Sequence, residues 1–71
     1  MTDPVTRAAG EARAALARAN VTQTALAEQT GRSQAYWSRR LSGEVPLDVV
    51  DLAEVASLTG TPVSVLMAGA A

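Results

Sequence analysis

The chain has no cysteine, no histidine and no lysine among its 71 residues. Lacking cysteine, it has no disulfide staple. Lacking both cysteine and histidine, it has neither the usual zinc ligand sets nor thiol or imidazole catalysis. No apolar run approaches the length of a membrane span, and the opening MTDPVTRAAG has no signal-peptide pattern. The expectation is a cytoplasmic protein with no cofactor, no metal, no membrane contact and no small-molecule substrate. At this length the whole chain, residues 1–71, reads as one domain, near the lower size at which an apolar core suffices without staples.

Charge is scarce in sum but uneven in placement. The formal net charge is −1, which argues against a generic polyanion binder. Residues 1–43, however, carry all six Arg against Asp3, Glu11 and Glu28, a net of +3. Residues 44–71 carry Glu44, Asp48, Asp51 and Glu54 with no base, a net of −4. A basic front half and an acidic back half suit a protein that turns one side to nucleic acid. The same Arg residues also serve to solubilise an alanine-rich half.

What the chain does have is one strongly punctuated stretch, TQTALAEQTGRSQAYWSRRLSG, from Thr22 to Gly43. The side-chain oxygen of Thr22 can accept from the first free amides of a helix over 23–30. Gly31 then supplies the positive φ that ends it. Ser33 caps a second helix, 33–42, which Gly43 stops. So short a gap predicts a helix-turn-helix or a plain helical hairpin. At about 100° per residue, Gln34, Ala35, Ser38, Arg39 and Ser42 share one side of the second helix. Ser33, Trp37, Arg40 and Leu41 share the other. Gln pairs bidentately with adenine, Arg with guanine, and small neighbours let a helix sit close in a major groove. A solvated polar face would have the same composition.

These residues resemble the helix-turn-helix of the lambda-repressor/Cro-like family of bacterial and phage regulators. The resemblance runs from Thr22-Gln23, through Leu26-Ala27, to Gly31 at the turn and Ser33 at the start of the recognition helix. Trp37 takes the bulky apolar position and Gly43 closes the motif. Thr30, Arg32 and Arg40 depart from it, standing where the family usually has aliphatic residues. Arg40 is expected to lay its stem on the core with the guanidinium at the edge, and Arg32 to sit unburied at the turn. The resemblance implies an all-α, compact five-helix domain with the motif at helices two and three. It implies that Gln34, Ala35, Ser38 and Arg39 face bases and that Gln23 binds a phosphate. Arg32, Ser33, Tyr36 and Ser42 complete the expected phosphate set.

The flanks read as three further helices. Asp3-Pro4 is a cap followed by a first-turn proline, opening a helix to about Ala19. Its narrow stripe is Val5, Ala9, Ala12, Leu16 and Ala19, with Gly10 weakening its early turns and Asn20 as a left-handed stop. Arg7, Arg13 and Arg18 are expected in water. Asp48 caps a helix from Val49 to Thr59 with Asp51 in its first turn and Leu52, Val55, Ala56 and Thr59 inward. Gly60 ends it. Thr61-Pro62 opens a last helix over 62–68 with Val65 and Leu66 inward, and a frayed tail is expected over about 68–71. Trp37 is expected to be buried against the first and fourth helices.

Three functions compete. An enzyme is not expected, since Asp48, Asp51 and Glu54, the one carboxylate cluster, have the spacing of a helix cap and its exposed face. The Gln34/Arg39 face favours a sequence-specific, double-stranded-DNA-binding transcriptional regulator, a repressor or Cro-like protein of phage or prophage type. It would work at the bacterial nucleoid or in a phage-infected host. The alternative is an antitoxin or protein-interaction module on the same fold. Leu47, Val49, Val50, Val63 and Met67 are surplus to the inward stripes. They suit a homodimer contact, and equally a completed core or contact with a region outside this chain.

Overall fold

Local punctuation sets the helices of the computed structural model, which describes residues 3–68. Helix α1 spans Pro4–Arg18, α2 Gln23–Thr30, α3 Gln34–Leu41, α4 Val49–Thr59 and α5 Val63–Ala68. The caps of the first four are the expected ones: Asp3, Thr22, Ser33 and Asp48 each accept, through the side chain, the backbone N–H three residues on. Each such bond satisfies an amide that the helix itself leaves unpaired. Helix α1 runs unbroken through Gly10. Asn20 takes φ 56°, alone in that region among the described residues other than glycine. No strand occurs among the described residues, and the fold is all-α as expected.

One core joins all five helices. Helix α1 contributes Ala12, Ala15 and Leu16, α2 Leu26 and Ala27, α3 Trp37 and Leu41, α4 Leu52, Val55 and Ala56, and α5 Leu66. Ala8 and Ala15 are buried beside the expected stripe of α1. Alanine is short enough for neighbouring backbones to close over a wider face than the apolar spacing alone marks. Val65, expected inward, is 43% exposed, and Leu66 is the buried residue of this six-residue helix. Leu47 and Val63 pack partly against the core, whereas Val49, Val50 and Met67 stay exposed.

Helix α3 lies against α1 and α2, but its Cα atoms stay more than 8 Å from those of α4. Trp37 is fully buried, as expected. The side chains of Tyr36 and Arg40 cross the space between α3 and α4 to reach Asp51.

Candidate nucleic-acid interface

The α2–α3 turn is fixed by its backbone. Gly31 has φ 69°, where a side chain would be strained. Its N–H donates to the Glu28 carbonyl at 3.4 Å, and the Arg32 N–H donates to that of Ala27 at 3.1 Å. This pair of bonds is a Schellman closure, which satisfies the last carbonyls of α2. Ser33 follows at once, and its Oγ accepts from the Tyr36 N–H at 3.0 Å, so α3 starts in a defined direction. At the far end of α3 the Arg13 guanidinium, reaching from α1, donates to the Leu41 carbonyl. The residue as a whole is exposed, as expected, but its place as a cation at a helix C-terminus was not expected.

The outer side of α3 presents Gln34, Ala35, Ser38 and Arg39, all exposed. Gln23 at the start of α2, Ser33 and Ser42 are exposed beside them. The Ser42 hydroxyl donates to the Arg39 carbonyl at 2.9 Å.

The inner side of α3 differs from expectation. Asp51, expected on an exposed helix face, is fully buried and is the hub of a polar cluster. Its Oδ1 accepts from the Tyr36 hydroxyl and, at 3.3 Å, from Arg32 Nη1. Its Oδ2 accepts from Arg40 Nε at 2.9 Å and from the Asp48 N–H at 3.0 Å. These four donors match the acceptor capacity of a carboxylate, and two of them are cations, which is what a buried charge requires. Asp48 answers through its own carboxylate, accepting the Asp51 N–H at 2.7 Å, so the cluster and the α4 capping box are one unit.

Arg32 extends the cluster outward. It also donates to the Tyr36 hydroxyl, and its Nη2 lies 3.0 Å from Glu54 Oε1. That contact is an ion pair without hydrogen-bond alignment, as Glu54 Oε1 is buried and has no hydrogen-bonded partner. The Tyr36 ring lies under Arg40 at 3.6 Å and Arg32 at 4.5 Å, measured from each guanidinium carbon to the ring centroid. It also meets Trp37 edge to face at 5.3 Å. Burial, followed by the bond to Asp51, pushes the Tyr36 phenol above its ordinary pKa.

The three departures from the family pattern therefore have partners. Thr30 accepts the indole N–H of Trp37 at 2.9 Å and donates to the Leu26 carbonyl at 2.7 Å. Arg32 and Arg40 neutralise Asp51. The Arg40 guanidinium turns inward to the carboxylate, where a position at the edge was expected. Arg32 and Tyr36, from the expected phosphate set, are both half-buried and hydrogen-bonded to Asp51. The missed residue is Asp51, and the signal for it was the surplus of long basic side chains at positions where aliphatic ones are usual.

Among the described residues no group of acidic side chains is arranged to hold a metal ion, and no helix is long and apolar enough to cross a membrane. Comparison with curated proteins and with solved structures gave no match. A family model described as a helix-turn-helix domain matches residues 7–68, in agreement with the lambda-repressor/Cro-like resemblance of the motif. On the strength of that match, which spans all but the ends of the sequence, the chain belongs to the helix-turn-helix domain family.

Proposed function

We propose that the chain is a sequence-specific double-stranded-DNA-binding transcriptional regulator of the repressor or Cro-like kind, acting in the bacterial cytoplasm with α3 in the major groove. One observation carries this reading: α3 keeps Gln34, Ala35, Ser38 and Arg39 exposed while the side chains behind them are locked into the core and the Asp51 cluster. A rigid helix with a polar outer face and small residues between Gln and Arg suits base-edge contacts. Gln23, Ser33 and Ser42 flank that face and are assigned to the phosphates. Arg32 and Tyr36 turn polar groups to Asp51, and Arg32 stays partly exposed at the turn. The exposed Val49, Val50, Val65 and Met67 are available for pairing two copies on a palindrome.

Selection of bound duplexes from a random pool tests this reading. Enrichment of one short motif supports it, and a palindromic motif reports pairing. The antitoxin or interaction-module reading draws on an apolar groove of about 410 Å³ between α2 and α4, lined by Gln29, Val49, Val50, Ala53 and Leu58 among others. It becomes the better account if no duplex is enriched while a protein partner is retained.

A further inference from the structure

Three of the six arginines lie in the helix-turn-helix hairpin, and two of them are held by carboxylates of α4. Arg32 and Arg40 bring two positive charges, and Asp51 and Glu54 return two negative ones. Arg39, adjacent to Arg40 in sequence, has no such partner among the described residues and stands on the outer face. Arg32 immediately precedes Ser33, the cap of α3, and its side chain is 28% exposed. It therefore sits at the rim of the proposed DNA face and is restrained there. Sequence-independent affinity for DNA comes from cations on phosphates, whereas base-edge contacts supply discrimination. A carboxylate pair that occupies Arg32 lowers the first and leaves the second to Arg39 and Gln34.

Building on the DNA-binding reading above, we propose that Asp51 and Glu54 are specificity-determining residues that withhold Arg32 from the DNA backbone. Asp51 also acts as a positioning residue for α3, since α3 and α4 are joined through Tyr36 and Arg40 and not by backbone contact. The partition has a consequence for salt dependence. The wild-type slope reflects few phosphate contacts, and each arginine released adds about 0.9 to it.

The experiment measures affinity for a selected site and for a mixed-sequence duplex across a salt series, with helicity checked by circular dichroism. Glu54→Gln should tighten binding to the mixed duplex several-fold at low salt, steepen the slope by about one unit and lower the preference for the selected site. Arg32→Ala should leave the slope unchanged in the wild-type background and abolish the gain in the Glu54→Gln background. Glu28→Gln makes the same charge change on the exposed side of α2 and should leave the slope where it was. Asp51→Asn should act in the same direction if it folds; if it does not, the Glu54 and Arg32 cycle decides. A shallower slope in Arg32→Ala alone places that arginine on a phosphate already and overturns the proposal. So does an additive cycle, or an equal gain in Glu28→Gln. A wild type that binds no duplex at low salt defeats the DNA-binding reading itself, which separates that failure from failure of the withholding role.

Discussion

Where α1 meets the rest of the core its buried side chains are Ala8, Ala9, Ala12, Ala15 and a single Leu16. Where α3 faces α4 the backbones stay apart, and Tyr36, Arg32 and Arg40 reach across to a buried carboxylate. The first contact is close and undirected, since methyl groups gain little from any one orientation. The second is long and directed, since every donor must meet a lone pair or leave a buried charge uncompensated. The alanine side lets five short helices close into a small core. The polar side fixes the angle at which the recognition helix is carried.

Two substitutions and one titration sharpen or break that contrast. The largest effect is expected for Trp37→Ala, which empties the residue both sides rely on. It should cost about 3–5 kcal/mol, a large part of a small domain's stability, read as a lowered urea midpoint. A stable, well-dispersed variant would mean that the faces of α3 are reversed. Ala12→Leu comes next. Ala12 has no exposed surface, and overpacking there should cost about 1–3 kcal/mol. A neutral result would show slack on the alanine side and remove the contrast.

Tyr36 gives a smaller and pH-dependent effect. Its folded pKa lies above the ordinary 10.0, through burial and then its bond to Asp51, so the native state keeps a proton that the unfolded chain releases. The stabilisation is complete below about pH 10 and is lost as pH rises through the folded pKa. Tyr36 is the only tyrosine, so tyrosinate absorbance follows it alone. The titration should be displaced upward in the native protein and ordinary after unfolding. Coincident curves would place the phenol in water and remove it from the cluster.

The helix boundaries were legible in the sequence, the alanine side in part, since Ala8 and Ala15 are buried outside the apolar spacing, and the polar side only in fragments. Asp3, Thr22, Ser33, Asp48, Gly31 and Gly60 act within one helical turn of where they stand, so sequence spacing reveals them. The burial of Trp37 follows from its face. Asp51 was placed on an exposed face because its spacing from Asp48 and Glu54 is that of a helix cap and its outer side. Its partners Arg40, Tyr36 and Arg32 lie 11, 15 and 19 residues away, and only the packed chain brings them together. Val65 failed for the opposite reason: α5 has six residues, too few for apolar periodicity to separate its faces. The outward set Gln34, Ala35, Ser38 and Arg39 was read from helical geometry and is exposed as a group, and its contact with bases is a proposal.

The smallest change in charge gives the most direct test of that proposal. Arg39 and Arg40 are neighbours with the same side chain, one on the outer face and one bound to Asp51. Affinity of Arg39→Ala is to be measured on a panel of single-base variants of the selected site at two salt concentrations. A base-reading Arg39 predicts a loss of about 1–3 kcal/mol on the parent site and relaxed preference at one position. Gln34→Ala should relax a neighbouring position. Uniform loss across all variants for both substitutions, with the slope reduced by about one unit for Arg39→Ala, would contradict the assignment of this face as the reader of sequence.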